Sequence, residues 1–228
     1  MIQLEPAAEE LGVSVMTVRR DIHSLDVDGR LRRVRGGAVA PMAPRAFGER
    51  AETRAAAKSA IARKAISLVP DDGAAAFDAS TTSGALLSII RSERLLVVTN
   101  SMDNAAIARA RPGVRAVLVG GELEPRTGSL VGPTAELVAR RFAFDRFFTS
   151  ASAVDASSGT MEVSLEEAAV KQVFADRAAG TVVLADSSKL GQQALVSGLD
   201  WNAIELLVTD LDPADHRLDD YRSLVELM

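Results

Sequence analysis

The chain has 228 residues, of which 47% are hydrophobic and 25% charged, an ordinary balance for a globular protein with a buried core. It has no cysteine and two histidines, which excludes disulfides and thiolate chemistry, and we expect neither a metal nor a cofactor. Aromatic residues make up 4%, a poor basis for stacking against single-stranded nucleic acid. No apolar run is long enough to cross a bilayer and no secretory leader is evident, so we expect a cytoplasmic protein.

Charge is divided unevenly along the chain. The net charge is −5, yet the first 60 residues carry ten basic against eight acidic side chains, and the remainder carries 16 basic against 23 acidic. Six arginines fall within seventeen positions: Arg19, Arg20, Arg30, Arg32, Arg33 and Arg35. Such a cluster can neutralise nucleic-acid phosphates, although a solvated surface is the better interpretation of an isolated cluster.

The first 40 residues predict a helix-turn-helix followed by a hairpin. A short helix over Ala7–Leu11 ends at Gly12, and Ser14 is a good N-cap for a second helix. That second helix has one apolar face, formed by Val15, Val18, Ile22 and Leu25. Residues 31–39 read as a basic hairpin with its turn at or near Gly36-Gly37. The combination favours a winged helix-turn-helix over an ordinary surface helix pair.

From residue 54 onwards, short apolar runs alternate with helical stretches. This alternation predicts an α/β domain, a parallel sheet with helices on its faces. The predicted strands are Ala74–Phe77, Leu95–Thr99, Ala116–Val119, Arg146–Ser150, Thr181–Ala185, Leu206–Thr209 and Leu224–Leu227. The predicted helices are Thr82–Ile90, Met102–Ala110, Thr134–Phe142 and Leu165–Ala178. We place the helix-turn-helix domain at 1–40, a linker at 41–53 and the α/β domain at 54–228.

Polar loops follow several of these strands. They contain Asp78–Gly84, Asn100-Ser101, Gly120-Gly121 and Asp186–Lys189. Ligands of parallel sheets bind beyond the carboxyl ends of the strands, and a Ser/Thr-rich helix start can hold a phosphate. One such loop alone is more often a helix cap or a turn, but four at strand ends indicate a ligand site.

The chain resembles the DeoR-type bacterial transcriptional regulators. The resemblance rests on Leu11–Asp21, on Leu31–Ala38 (with Arg35 where the family usually has His), and on Phe47 and Arg50. It implies that the second helix and the hairpin arginines contact DNA. The predicted DNA-binding residues are Ser14, Met16, Thr17, Arg19, Arg20, Arg32, Arg33 and Arg35.

The second domain resembles the family's effector domain at its loops. Asp78–Thr82 is similar to Asp-x-Gly-Thr-Thr with Ser80 replacing Gly, and Ser164, Glu167 and Lys171 match a further segment. Ala153 departs from the family's usual Gly. The resemblance implies a Rossmann-like domain related to sugar-phosphate isomerases and CoA transferases, which senses a phosphorylated sugar. The predicted effector-binding residues are Asp78, Ser80, Thr81, Thr82, Asn100, Ser101, Gly120, Gly121, Ser152, Glu167, Lys171, Asp186 and Lys189.

We therefore predict a regulator, in the first instance a repressor, that binds operator DNA as a homo-oligomer under the control of a phosphorylated sugar. Two alternatives stay open. A sugar-phosphate isomerase would need a compact pair of carboxylates beside a lysine, which the sequence does not suggest. A metabolite-binding protein without DNA binding would fit the six residues ahead of Ala7, too few for a further helix of ordinary length. We expect either a start upstream of Met1 or a partial DNA-binding domain.

Overall fold

The computed structural model describes residues 2–27, 32–34, 36–39, 47–124 and 127–228. The chain forms two compact units, Met1–Arg45 and Ala46–Met228. Of the predicted linker, residues 47–52 are helical and 41–46 lie outside the described residues. The boundaries at 40 and 53 stay a prediction. No helix in the described ranges is long and apolar enough to cross a membrane.

The first unit contains two helices and a three-stranded antiparallel sheet in the order β1-β3-β2. Its elements are β1 (Ile2–Gln3), α1 (Leu4–Leu11), α2 (Val15–Val27), β2 (Arg32–Val34) and β3 (Gly37–Val39). The core contains buried side chains from both helices and from the hairpin: Leu4, Ala8, Val18, Ile22 and Ala38. Val15 and Leu25 pack against this core, so the predicted apolar face of α2 is confirmed.

One local prediction in this unit was wrong. Helix α1 begins at Leu4 rather than at Ala7, because Pro6 lies in its first turn, where the missing N–H would have no helical partner. The hairpin turn lies close to Gly36-Gly37, as predicted, since Val34 pairs with Gly37. Gly36 has a φ of 87°, a left-handed conformation that a tight hairpin turn requires.

The second unit is built on a seven-stranded sheet, in which every neighbouring pair is parallel. Its strands are β4 (Asp72–Phe77), β5 (Arg94–Thr99), β6 (Val114–Leu118), β9 (Arg146–Thr149), β12 (Thr181–Leu184), β14 (Leu206–Val208) and β15 (Glu226–Leu227). The α-helices of this unit are α3 (Phe47–Glu52), α4 (Ala55–Ala65), α5 (Thr81–Ile89), α6 (Met102–Arg109), α7 (Pro133–Ala139) and α8 (Leu165–Asp176).

Two smaller antiparallel sheets, which the sequence did not predict, complete the unit. They consist of β7 (Glu122–Leu123) with β8 (Leu130–Val131), and of β10 (Ala153–Asp155), β11 (Gly159–Glu162) and β13 (Val196–Ser197). Short 3-10 helices lie at Ile66–Leu68, Ser187–Lys189, Trp201–Ala203 and His216–Tyr221.

Helices cover both faces of the seven-stranded sheet. Successive strand residues point to opposite faces, so Phe148 packs with the apolar residues of α4–α6, and Phe147 packs with those of α7 and α8. Strands buried on both faces read as continuous apolar runs. This explains why the sequence pattern identified the five inner strands; the edge strands β6 and β15, which it also identified, are partly exposed.

The strand order β15-β14-β12-β9-β4-β5-β6 reverses direction once, between β4 and β9. From β4 the chain continues outward through β5 to β6, then returns to the other side of β4 with β9. The loops after β4 and β9 diverge at such a reversal and leave a crevice at the carboxyl ends of the strands, where α/β sheets bind ligands.

Candidate functional site

The outward face of α2 carries exposed polar, cationic and apolar side chains. Ser14 caps the helix, as predicted: the Thr17 backbone N–H donates to Ser14 Oγ at 3.1 Å. Arg19 and Arg20 are exposed. Met16 is 68% exposed, so its side chain can contact an apolar group of a partner.

The hairpin is held against the N-terminus of the chain by a close backbone approach. A Cβ on Gly37 would lie 1.9 Å from the Ile2 carbonyl oxygen, so only glycine fits this position. Arg32 and Arg33 lie on β2, with side chains outside the described part of the structure, and Arg35 lies outside the described residues.

In the second unit, the Asp78 carboxylate joins the loops after β4 and β9. Asp78 is fully buried. Its Oδ1 accepts from Ser83 Oγ at 2.7 Å and from the Ser80 N–H at 3.1 Å. Its Oδ2 accepts from the Ser150 N–H at 2.8 Å and from Thr149 Oγ1 at 2.9 Å. Both oxygens are thus engaged within the protein, and Asp78 organises the crevice at the strand reversal.

Lys171 on α8 lies at the centre of a buried charge cluster. Its Nζ is 2.6 Å from Glu162 Oε1 and 3.2 Å from Asp78 Oδ2, and it donates to the Ser150 carbonyl at 2.8 Å. Burial alone would lower the pKa of Lys171, but the carboxylates of Glu162, Asp78 and Glu167 outweigh it and raise that pKa. The expectation that no compact pair of carboxylates lies beside a lysine was therefore wrong.

A third carboxyl group near Lys171 belongs to Glu167, in the first turn of α8. Glu167 is buried and forms no direct ion pair with the other described residues of the site. Burial raises the pKa of Glu167 to about 7, with Lys171 opposing the shift. Burial also raises the pKa of Glu162, and Lys171 again opposes it. The cluster formed by Asp78, Glu162, Glu167 and Lys171 has three carboxyl groups for one ammonium, so it retains a proton at Glu167 up to near-neutral pH.

The first turn of α5 faces the same crevice. Ser80 is its N-cap and accepts from the Ser83 N–H at 3.0 Å. Thr81 and Thr82 follow in the first turn, whose N–H groups have no acceptor within a helix. Asn104 holds this turn in place from α6, donating through Nδ2 to the carbonyls of Asp78 at 2.7 Å and Ser80 at 3.0 Å.

Asn100 and Ser101 follow β5 in buried positions. Ser101 caps α6 by accepting from the Asn104 N–H at 3.2 Å. Asn100 Nδ2 donates to the Leu130 carbonyl at 3.2 Å, whereas Asn100 Oδ1 is buried and accepts no hydrogen bond from the part of the chain that the structure describes.

The two glycines after β6 differ in their surroundings. A Cβ on Gly121 would lie 2.4 Å from the Val131 carbonyl oxygen, so Gly121 is required for close packing against β8. Gly120 borders open space.

The loop after β12 contains Asp186 and Lys189. Asp186 Oδ1 accepts from the Ser188 N–H at 3.1 Å and from Ser188 Oγ at 2.6 Å. Lys189 donates to the Ala151 carbonyl, which joins this loop to the end of β9. Burial is the main cause that lowers the pKa of Lys189. Ser152, next to Ala151, donates to Glu162 Oε2 at 3.3 Å.

Several residues of the crevice escaped the sequence-based prediction: Ser83, Asn104, Thr149, Ser150 and Glu162. Asn104 and Ser83 each lie three residues after an N-cap, a spacing that could have identified them. Glu162 lies on β11 in a small antiparallel sheet, and no local pattern placed that strand beside α8. Within the described ranges, no group of three acidic or histidine side chains is arranged to hold a metal ion.

Comparison with known proteins gives matches over both units. Residues 1–43 match the family model of the DeoR-like helix-turn-helix domain, and residues 53–211 match that of the DeoR C terminal sensor domain. The HTH-type transcriptional regulator GlpR of Haloferax volcanii is 33% identical over 91% of this chain and 82% of its own length. The Glycerol-3-phosphate regulon repressor of Escherichia coli is 26% identical over 93% of this chain and 85% of its own length.

Among solved structures, ribose 5 phosphate isomerase A from Neisseria gonorrhoeae matches 61% of this chain and 53% of its own, at 16% identity and a TM-score of 0.38. That likeness is too low to carry an argument. The two family matches together span most of the chain. The protein belongs to the DeoR family of transcriptional regulators: a winged helix-turn-helix that binds DNA, and an α/β sensor domain.

Proposed function

We propose that this regulator is a repressor whose effector is a small phosphorylated sugar or polyol bound in the crevice between β4 and β9. The observation that carries the proposal is the convergence of the loops after β4, β5, β9 and β12 at one edge of the sheet. The glycerol-3-phosphate repressor among its relatives supports a ligand of this chemical class. We also propose that the protein acts as a homo-oligomer, with its domains bounded as predicted from the sequence.

The phosphate is assigned to the first turn of α5. The N–H groups of Thr81 and Thr82 and the positive end of the helix dipole suit an anion there. Lys189 adds an ammonium, which has three protons to donate, of which the Ala151 carbonyl takes one. Asp78, Glu167 and Lys171 hold the surrounding loops in place, because the Asp78 and Lys171 charges already pair with each other.

The sugar hydroxyl groups are assigned to the loops after β5 and β6. Asn100 Oδ1 is a buried acceptor without a donor, and such an atom costs free energy until a donor reaches it. A hydroxyl group would supply that donor. Gly120 borders open space and leaves room for the ligand, while Ser101, Gly121, Ser152 and Asp186 shape the surrounding wall.

On the DNA side, α2 is assigned to the major groove and the hairpin to the adjacent backbone. Met16 and Thr17 suit contact with thymine methyl groups. Arg19 and Arg20 suit guanine edges or phosphates, and Ser14 fixes the start of the helix. Arg32, Arg33 and Arg35 are assigned to phosphates. For regulation, the effector must bind the DNA-competent and DNA-free states with different affinity.

The test is DNA binding by fluorescence anisotropy on the promoter region of the protein's own gene, titrated with a panel of phosphorylated sugars and polyols. We expect one compound to weaken DNA binding at least 10-fold. Lys189→Ala should weaken calorimetric binding of that compound, and Arg109→Ala, exposed at the end of α6, should not. Absence of any response across the panel would refute the proposed function.

A further inference from the structure

Arg54 has an unusual backbone conformation at the junction of α3 and α4. Its φ of 55° lies in the left-handed region, and it is the one residue other than glycine in the described ranges with a positive φ. For a residue with a Cβ, this conformation costs about 1–2 kcal/mol and persists only where other contacts compensate. The surroundings of Arg54 must therefore supply that compensation.

The Arg54 side chain supplies it through two carboxylates and a hydroxyl. Arg54 Nε is 2.6 Å from Asp186 Oδ1, and Arg54 Nη2 lies 3.4 Å from Asp210 Oδ2. Arg54 Nη2 also donates to Ser187 Oγ at 2.9 Å. The Asp186 side chain is 3% exposed, so without Arg54 a buried carboxylate would lose its direct ion pair.

Asp210 provides a second link to the same loop. It follows β14, and its Oδ1 accepts from the Ser187 N–H at 2.6 Å. Arg54 thus bridges the loops after β12 and β14 and restrains Asp186, Ser187 and, through them, the position of Lys189. Neither the family resemblance nor the sequence pattern drew attention to this arginine.

We propose that Arg54 is a positioning residue that fixes the Asp186–Lys189 loop in the geometry that receives the anionic part of the effector. The inference rests on the proposed function, since it takes this loop to be part of the effector site. The strained backbone at Arg54 directs its guanidinium group toward both aspartates, and the ion pairs in turn hold the loop.

The experiment compares the full-length wild-type chain with Arg54→Met, Arg54→Lys and Arg54→Gly, and with Arg63→Met as a matched control. Arg63 is exposed on α4, where its Nη1 donates to Ser59 Oγ at 2.7 Å. Binding of inorganic phosphate is measured by calorimetry and thermal unfolding by circular dichroism. Hydrogen exchange of residues 185–190 is measured without ligand.

We expect Arg54→Met to weaken phosphate binding about 10-fold, because Lys189 loses the charge-assisted contacts that hold its loop. Hydrogen exchange of the loop should become faster for the same reason. Arg54→Lys should keep part of the wild-type affinity and part of the slow exchange of the loop. Arg63→Met should change neither quantity. Arg54→Gly should melt at a higher temperature than Arg54→Met, because glycine removes the backbone strain, yet should weaken binding as Arg54→Met does. A purely structural role would not separate stability from binding in this way.

Unchanged loop exchange in Arg54→Met and Arg54→Gly would overturn the inference, whether or not phosphate binds. Wild-type affinity in both variants would overturn it as well. If the wild type itself binds neither phosphate nor any compound of the panel, the proposed function fails, and the exchange data alone then decide whether Arg54 positions the loop.

Discussion

The two units of the chain handle charge in opposite ways. In the sensor unit, the charges of Asp78, Glu162 and Lys171 are buried and paired with one another at 2.6–3.2 Å. On α2 of the winged helix-turn-helix, Arg19 and Arg20 are exposed. Buried charges require internal partners, whereas exposed arginines can exchange water and counterions for the phosphates of DNA. Charge therefore organises the interior of the sensor unit, whereas on α2 it lies where a partner can reach it.

The largest effect is expected on removing Lys171, the cation of the buried charge cluster in the sensor unit. Lys171→Met leaves the buried carboxylates without an ammonium and should lower the free energy of unfolding by about 3–5 kcal/mol, measured by chemical denaturation. Lys64→Met is the matched control, because Lys64 Nζ donates to the carbonyls of Thr209 and Leu211 rather than to carboxylates. Equal losses in the two variants would contradict the role of charge pairing in this cluster.

The next largest effect is the dependence of stability on pH. The pKa of Glu167 is raised from 4.5 to about 7, so the native state binds this proton more tightly than the unfolded chain does. The resulting stabilisation is fully present below pH 4.5 and is lost as the pH rises through about 7. We expect the sensor unit to lose on the order of 2–3 kcal/mol between pH 5 and 8.

Thermal unfolding of the full chain across that pH range measures this loss. Glu167→Gln keeps the shape of the side chain and should flatten the dependence. Glu166→Gln, at the exposed neighbouring position, should preserve it. A slope that survives in Glu167→Gln would assign the proton to another group of the cluster.

The smallest effect is expected from replacing an exposed arginine of α2. Arg19→Met should weaken DNA binding about 10-fold and reduce the salt dependence by about one counterion, because one cationic contact is lost. The melting temperature should stay unchanged, since the Arg19 side chain is exposed. Anisotropy titrations at several salt concentrations measure both quantities. A large loss of stability in this variant would mean that Arg19 supports the fold.

The architecture was largely predictable, because its signals are local. Each strand of the seven-stranded sheet contains a short apolar run. Three of the helices, α5, α6 and α8, begin at a serine cap: Ser80, Ser101 and Ser164. Pro6 misled the prediction of α1, since proline looks like a boundary although the first turn of a helix accepts it.

The contacts of the site were less predictable, because they join distant parts of the chain. Asp78 pairs with Lys171 across 93 positions of sequence, and Arg54 pairs with Asp186 across 132 positions. Nothing in the sequence around Arg54 indicates a left-handed backbone, which tertiary contacts impose. The sequence thus located the loops and most of their charged residues, but not the ion pairs that join them.

The reversal of strand order between β4 and β9 also fixes when the crevice proposed to bind the effector can form. Asp78 and Ser150, whose hydrogen bond spans 72 residues, meet only after β9 has paired with β4. Synthesis proceeds from the N-terminus at about 5–20 residues per second. The winged helix-turn-helix leaves the ribosome several seconds before the crevice is complete. In a newly made chain, the winged helix-turn-helix is therefore present for an interval in which the crevice proposed to control it has not yet formed.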